Sequence, residues 1–422
     1  MSDLTRLMFL RAAAGLLLAV LTLPVGSPRA ASQEDNALRE ALRGLIQEGG
    51  AAVGGITRGP FLHAAGIYVP ASIIKLATAM AAFHELGPDY RFKTEFYRDG
   101  KSNLYVRGYG DPFLVSEEWA LIARELADAG VFAEAVADLI MDESAFAPGL
   151  SIDGATDSLN PYDARQGALV SNFNTIHVEV LPGGKVRTAE AQTPLTPLAA
   201  RMAHGLPPGK HRINFSQNAP HGLRYSGELA AAFFRKAGAT LQGRIKAGTV
   251  PPGLAPVWVH RSSRNLQEGV RGMMKFSNNY IANQIVLAMG LEKHGAPARM
   301  EAGVALMRNF LRERIGLNNG EYHLEEGSGI SRLNRISLGG MLKIVESFRP
   351  WMHLLRKYGK PPLQSLAKTG TLTGVYTLAG FLPGAVDQRR PFVIMLNQSR
   401  NTRGAVHRRL ARRFARTVPA TR

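Results

Sequence analysis

The hydrophobic pattern changes twice along the chain, and this change most constrains the fold. Residues up to about 90, and again from about 265, repeat apolar side chains with a helical period, whereas 91–247 is mostly short segments with the alternation of β-strands. No internal repeat or low-complexity linker is present. The sequence therefore predicts an α/β (α+β) fold in which one domain, 31–90 and 248–422, is split by a β-rich insertion, 91–247.

A run that is apolar on nearly every side follows Pro70, from Ala71 to Phe83. Proline is favoured in the first turn of a helix, and a helix that is apolar all round is buried. The run therefore predicts a buried helix. Before it, the glycine-rich segment Gly49–Gly66, continued by Ile67, predicts a compact strand pair.

The first thirty residues have the layout of a secretory signal peptide. Arg6 and Arg11 precede the apolar run Ala12–Leu23, which Pro24 interrupts before it reaches the roughly 20 residues that a membrane span needs. We expect residues 1–30 to be a cleaved signal, with a mature chain from about Ala31 in the periplasm. The chain has no cysteine, which excludes disulfides, thiolate metal sites and cysteine nucleophiles.

Eight arginines and no acidic residue lie between positions 400 and 422, and they supply part of the formal net charge of +18. Val406, Leu410, Phe414 and Val418 recur there at the spacing of one helix face. The pattern favours a terminal helix packed on the core, and the alternative is peripheral contact with a membrane surface. Export argues against nucleic acid as the anionic partner.

Three short motifs occur in order along the chain. Their residues are Ser72-Ile73-Ile74-Lys75, Ser277-Asn278-Asn279 and Lys368-Thr369-Gly370. The first two are each expected about once or twice by chance at this length, whereas the third is expected in about one chain in ten. Their order matches the motif set of serine β-lactamases and penicillin-binding proteins.

Each motif stands in a context that suits acyl transfer. Ser72 and Lys75 lie three residues apart on one helix face, so a neutral, buried Lys75 can take the proton of the Ser72 hydroxyl as it attacks a carbonyl. The nearby charge of Lys368 also favours the neutral form of Lys75.

The other two motifs supply candidate partners for the substrate. A turn can project Ser277, as proton donor to the leaving amine, and Asn279, as a ligand of the substrate amide; the alternative is an ordinary helix cap. Lys368 and Thr369 are expected to bind a terminal carboxylate, and Gly370 leaves room beside the strand. The backbone N–H groups of Ser72 and Thr371 form the expected oxyanion hole.

With these motifs in place, the chain resembles the class C low-molecular-mass penicillin-binding proteins, the D-alanyl-D-alanine carboxypeptidase/endopeptidase family of penicillin-binding protein 4. The long insertion between the first two motifs is a hallmark of that family. Four further segments resemble its recurrent sequences: Gly108-Tyr109-Gly110-Asp111-Pro112, Asn172-Phe173-Asn174, Glu326-Gly327-Ser328-Gly329-Ile330-Ser331-Arg332 and Gly374-Val375-Tyr376-Thr377-Leu378-Ala379-Gly380.

The resemblance implies a transpeptidase-like catalytic domain with a five-stranded antiparallel sheet flanked by helices. It implies acylation of Ser72 by the penultimate D-alanine of peptidoglycan stem peptides, with β-lactams as covalent inhibitors. Arg332 is a candidate for binding a peptide carboxylate, and a solvated arginine is the alternative. We expect neither a metal nor a cofactor, because the histidines are scattered and form no ligand motif.

Two alternatives remain open from the sequence. The segment between Phe348 and Lys368 is short and lacks the glycine-rich loop that commonly precedes the third motif, which would suit a non-catalytic or weakly active peptidoglycan-binding protein. A β-lactamase-like hydrolase is the other alternative, but Ile330 stands where a class A enzyme has its glutamate before Leu333-Asn334.

Overall fold

The computed structural model describes residues 28–55, 66–156, 158–217 and 219–415. Nearly all of the expected signal peptide, 1–30, and Val418 of the predicted helix stripe lie outside these residues. Within them, no helix is both long and apolar enough to cross a membrane.

Ten α-helices lie in the described part of the chain. They are α1 (Pro28–Arg43), α2 (Lys75–Glu85), α3 (Ser116–Asp128), α4 (Pro197–Ala203), α5 (Ala219–Lys236), α6 (Leu266–Phe276), α7 (Asn279–His294), α8 (Met300–Glu313), α9 (Leu338–Ser347) and α10 (Arg403–Ala415).

The described strands form four sheets. The strands are β1 (Gly49–Val53), β2 (Ile67–Tyr68), β3 (Lys93–Arg98), β4 (Leu104–Gly108), β5 (Leu139–Asp142), β6 (Thr175–Val180), β7 (Val186–Thr188), β8 (Gly209–Asn214), β9 (Ile245–Ala247), β10 (Pro256–Arg261), β11 (Tyr322–His323), β12 (Arg335–Ser337), β13 (Arg356–Tyr358), β14 (Ser365–Leu372), β15 (Val375–Phe381) and β16 (Pro391–Leu396). Their orders are β1-β16-β15-β14-β13, β10-β3-β4-β5-β9, β11-β12-β2 and β7-β6-β8.

The first sheet is antiparallel throughout and has helices on both faces. Successive side chains of a strand point to opposite faces. Accordingly, Val393 and Met395 of β16 pack with α2, α7, α8 and α9, whereas Ile394 and Leu396 pack with α1 and α10. The expected antiparallel sheet flanked by helices is thereby confirmed.

The two helices that the apolar patterns predicted are also present. Helix α2 follows a 3-10 turn, Ala71–Ile74, and is buried from Lys75 to Phe83. In α10 the side chains of Val406 and Leu410 are fully buried on the sheet. This packing is the favoured of the two interpretations of the terminal stripe, and it leaves Arg408, Arg409 and Arg412 exposed on the outer side of the helix.

The strand pair expected within Gly49–Gly66 and Ile67 is wrong for the described residues. Strand β1 pairs with β16, more than 300 residues later, and β2 pairs with β12. Both partners are distant in sequence, so a local alternation pattern carries no information about them.

The β-rich insertion has a core of its own. Two sheets, β10-β3-β4-β5-β9 and β7-β6-β8, enclose apolar side chains together with α3, α4 and α5. Strand β10 follows the expected boundary at residue 247 but pairs with β3. The division into domains remains a prediction. If the β10-β3-β4-β5-β9 sheet belongs to one domain, the boundary at the C-terminal end of the insertion must lie after Arg261.

Candidate active site

Ser72 lies in the turn that leads into α2. The residue before it, Ala71, has φ +48, the left-handed region that residues with a side chain rarely adopt. Such conformations persist where the surrounding structure enforces them, often at functional sites. Ser72 is partly exposed between buried neighbours, at the start of a buried helix.

Lys75 is fully buried and reaches three oxygen acceptors. Its Nζ donates to Ser72 Oγ at 3.1 Å, to Asn279 Oδ1 at 2.8 Å and to the Ser328 carbonyl at 2.6 Å. Burial lowers the pKa of Lys75 to about 7, although the charge of Glu326 partly opposes the shift. A buried lysine therefore lies beside Ser72, as expected, and its lowered pKa favours the uncharged amine near neutral pH.

Ser277 and Asn279 lie where α6 ends and α7 begins. Ser277 has φ +53 and ends α6, while Asn278 caps α7 by accepting from the Ile281 N–H at 3.0 Å. The capping role that sequence could not exclude therefore falls to Asn278. The side chain of Asn279 is left to contact Lys75.

Lys368 lies on β14 opposite these residues and is 3% exposed. Its Nζ donates to Ser277 Oγ and to the Thr369 carbonyl, both at 2.7 Å. Burial lowers the pKa of Lys368 well below its ordinary value, and neighbouring positive charges, first that of Lys75, lower it further. The structure thus brings the three motifs together around two buried amines.

A glycine is required at position 370, because a side chain there would clash with neighbouring groups. A Cβ at this position would lie 2.8 Å from the backbone nitrogen of Ser72 and 3.0 Å from the Pro70 carbonyl oxygen. Thr377, its partner on β15, donates to that same carbonyl at 2.7 Å. The absent side chain therefore lets β14 approach the turn that holds Ser72, whereas Thr369 beside it is half-buried and Thr371 is exposed.

Arg332 lies at the rim of the site. It is exposed, and its guanidinium donates to the carbonyl of Thr373, in the turn after β14. It is therefore near the third motif, but its role in binding a carboxylate stays a prediction.

Two residues without a predicted role support the site. Arg403, the first residue of α10, donates to the carbonyls of Gly370 and Thr377 at 2.8 and 3.1 Å, and so ties α10 to the strands of the third motif. Glu326 is buried behind Lys75. In the sequence, Arg403 stands out only as part of the tail charge, and Glu326 only as part of a recurrent segment.

A cavity of about 330 Å³ lies beside Asn279. It is lined from both parts of the chain, by Tyr280 and Ile330 on one side and by Leu150 and Arg165 of the insertion on the other. The insertion therefore contributes directly to the space next to Asn279. Within the described residues, no group of three or more acidic, histidine or cysteine side chains could hold a metal ion.

Comparison with protein families gives one match that covers most of the chain. The D-Ala-D-Ala carboxypeptidase 3 (S13) family matches residues 61–205, 201–355 and 360–417. The chain belongs to this family. A relative, the D-alanyl-D-alanine carboxypeptidase of Actinomadura sp. (strain R39), is 28% identical over 384 residues, which cover 75% of this chain and 71% of that protein.

Several solved structures share the fold of this chain. Penicillin binding protein 4 from Haemophilus influenzae has a TM-score of 0.71 at 23% identity, over 90% of this chain and 98% of its own; its complex with a β-lactam has a TM-score of 0.66 at 21%, with the same coverage. A predatory peptidoglycan endopeptidase from Bdellovibrio bacteriovorus has a TM-score of 0.52 at 16%, over 88% and 92%. The resemblance seen in the motifs is confirmed.

Proposed function

We propose that this S13 protein is a serine-type D-alanyl-D-alanine carboxypeptidase that acts on peptidoglycan stem peptides through an acyl-enzyme on Ser72. The observation that carries the proposal is the contact of Ser72 Oγ with the amine of Lys75, at 3.1 Å, in a site where burial favours the neutral amine. A neutral amine at hydrogen-bond distance from a hydroxyl is the arrangement of an activated nucleophile.

In acylation, Ser72 Oγ bonds to the carbonyl carbon of the penultimate D-alanine while its proton passes to Lys75. The N–H groups of Ser72 and Thr371 stabilise the oxyanion, an interaction worth about 3 to 4 kcal/mol per donor. The carbon–nitrogen bond then breaks, and the leaving amine takes a proton from the Ser277 hydroxyl. Protonated Lys368, 2.7 Å away, gives its own proton to Ser277 in turn.

Deacylation reverses these proton movements. A water molecule attacks the ester and gives its proton to Lys368 through Ser277, while the Ser72 oxygen recovers its proton from Lys75. Both lysines return to their initial states, so no other acid or base is needed. Asn279, held by Lys75 at 2.8 Å, is the proposed ligand of the substrate amide.

The substrate carboxylates are proposed to bind on the β14 side of the cleft. Thr369 and Lys368 are the ligands of the terminal carboxylate, whose negative charge would favour the protonated form of Lys368. Arg332 at the rim is the proposed ligand of a second peptide carboxylate. The larger leaving group of a cross-linked peptide suits an additional endopeptidase activity, which is the activity named for the Bdellovibrio neighbour.

β-Lactams are proposed to acylate the same serine, as the β-lactam complex of the Haemophilus protein suggests for this fold. Efficient β-lactam hydrolysis is disfavoured, because Ile330 carries no carboxylate and that of Glu326 is occupied by backbone and amide donors. A non-catalytic binding protein is the remaining alternative. It does not account for two lysines that are buried, at a cost in free energy, in contact with the hydroxyl groups of Ser72 and Ser277.

Release of D-alanine from a peptide ending in D-Ala-D-Ala tests the proposal. We expect release by the wild-type protein and a loss of at least about 100-fold in Lys75→Ala, because a general base contributes about 10² to 10⁴ in rate. Lys101→Ala, which removes an exposed lysine in a β-turn of the insertion, is the matched control and should retain activity. Unchanged release by Lys75→Ala would refute the base assignment.

We propose a periplasmic location, supported by the signal-like pattern at the N-terminus. N-terminal sequencing of the mature protein should begin near Ala31. A sequence beginning at Met1 or Ser2 would contradict export by a cleaved signal.

Peripheral membrane contact is proposed for the outer side of α10. Its apolar side is occupied by the core, so the contact would be electrostatic and would use exposed arginines such as Arg408 and Arg412. Sedimentation with vesicles that contain anionic lipid should decrease in a variant with both arginines changed to glutamate. Equal sedimentation of the two proteins would contradict the contact.

A further inference from the structure

We propose that Glu326 is a positioning residue for the reaction: its buried carboxylate holds the loop 326–331 against the Ser72 helix and places a fixed negative charge behind the Lys75 amine that accepts the proton of Ser72. The inference rests on the proposed function of Lys75 as the base, and it adds a residue that does not touch the reacting atoms.

Glu326 is 1% exposed, and its carboxylate accepts from five N–H donors. They are Ser328 N at 2.7 Å, Gly329 N at 2.6 Å, Ser331 N at 3.3 Å, Asn283 Nδ2 at 3.0 Å and Asn334 Nδ2 at 2.6 Å. An ionised carboxylate is an acceptor only, whereas a protonated one has a proton to donate. Five donors around one group therefore suit the anion and stabilise it against the cost of burial.

The orientation of both amide side chains follows from their other contacts. Asn283 Oδ1 accepts from Gly327 N at 2.9 Å, and Asn334 Oδ1 accepts from Glu325 N at 2.8 Å. Since backbone N–H groups can only donate, each amide must turn its NH₂ toward Glu326. The carboxylate is thus surrounded by donors through the connectivity of the loop itself.

This anchored loop packs directly on the nucleophile helix. The Ser328 carbonyl accepts from Lys75 Nζ at 2.6 Å, and one turn along α2 the Gly327 carbonyl accepts from Thr78 Oγ1 at 2.6 Å. A Cβ on Gly329 would lie 2.0 Å from the Ala71 carbonyl oxygen. The loop conformation that Glu326 stabilises therefore positions the Ser328 carbonyl, which is one of the three acceptors around the Lys75 amine.

The charges that face Lys75 come from two directions. Lys368 lies on β14, and its own pKa is lowered by burial and by the charges of Lys75, Arg403 and Arg356. Glu326 is the nearby negative charge, and it raises the pKa of Lys75 against the larger effect of burial. Without it, Lys75 would be a weaker base that is neutral at lower pH.

The pH dependence of acylation by a penicillin separates the effect of the Glu326 charge on Lys75 from the effect of Glu326 on the loop conformation. In the wild-type protein the second-order rate constant should rise with pH to a plateau, with a midpoint near the Lys75 pKa of about 7. Above the plateau it should fall where Lys368, the proposed proton donor through Ser277, loses its proton. In Glu326→Gln the midpoint should fall by about one pH unit, because an opposite charge at short range shifts a pKa by about that much, and the plateau should fall about tenfold.

Two further variants serve as controls. Glu325→Gln removes the neighbouring carboxylate, which pairs with exposed His323, and should leave midpoint and plateau unchanged. Thr78→Val removes a loop anchor but no charge, and should lower the plateau while the midpoint stays at the wild-type value.

A folded Glu326→Gln protein with the wild-type midpoint would overturn the inference. If Glu326→Gln does not fold, Glu326→Asp decides: the retained charge must keep the midpoint while lost positioning lowers the plateau, and a displaced midpoint or an unchanged plateau overturns the proposal. A wild-type protein that no penicillin acylates would instead overturn the proposed function, and this inference with it.

Discussion

Two lysine side chains, Lys75 and Lys368, reach the cleft while remaining 0% and 3% exposed. Burial disfavours the charged form of each, and the charge of Lys75 further lowers the pKa of Lys368, so the site disfavours a positive charge on both amines at once. Their oxygen ligands, Ser72 and Ser277, are the two hydroxyls through which protons are proposed to move. The chemistry at this scale depends on how closely β14 approaches the Ser72 turn.

Gly370→Ala tests that approach. The added Cβ would lie 2.3 Å from Thr377 Oγ1 and 2.8 Å from the Ser72 nitrogen, so the strand or the turn must move. We expect a free energy of unfolding lower by about 2 kcal/mol and acylation slower by at least about 100-fold, measured by urea denaturation and by penicillin binding.

The matched control is Gly339→Ala. Gly339 is exposed on α9 and has nothing within 4 Å of its missing Cβ, so alanine should be neutral or stabilise the helix by up to about 1 kcal/mol. Normal acylation by Gly370→Ala would show that the reaction tolerates a side chain between β14 and the Ser72 turn.

At the scale of elements, a buried histidine joins α3 to β10 of the insertion. The two ring nitrogens of His260 each lie 2.8 Å from a carboxylate oxygen, one of Glu118 and one of Glu125. Burial alone would lower the pKa of His260, but these two hydrogen bonds outweigh it and raise the pKa above its ordinary value. The charged imidazole therefore stabilises the sheet edge that β10 forms.

Because the folded pKa of His260 exceeds the unfolded value, its contribution is fully present below the unfolded value of 6.5 and is lost as pH rises through the folded pKa. We expect His260→Gln to lower the free energy of unfolding by about 3 kcal/mol at pH 6 and by clearly less at pH 9. Urea denaturation at both pH values measures this difference.

His323→Gln is the control for that experiment, because His323 pairs with Glu325 at the surface and such pairs contribute little. A His260→Gln penalty that is equal at both pH values would show that shape and not charge holds the two elements together.

At the scale of the whole molecule, the sequence predicted what local patterns encode. The helical period of the apolar residues predicted the buried helix after Pro70 and the apolar stripe of α10. The order of the motifs predicted that Ser72, Lys75 and Lys368 lie in one site, as they do in the structure. Pairing partners were not predictable, because β1 joins β16 across most of the chain and β10 returns to the sheet of the insertion.

Residues that act through packing were missed for the same reason. Glu326 looks like one acidic residue in a glycine-serine turn, and Arg403 looks like one arginine among eight. Their roles depend on donors and carbonyls contributed by α2, α7 and β14, which only the folded chain brings within reach.

Mass spectrometry of the protein after incubation with a penicillin tests the central claim most directly. The chain has no cysteine to react in place of the serine. We predict a single covalent adduct on the peptide that contains Ser72, its loss in Ser72→Ala, and its retention in Ser151→Ala, which changes an exposed serine of the insertion. An unmodified wild-type protein, or an adduct that survives Ser72→Ala, would contradict the acyl-enzyme mechanism.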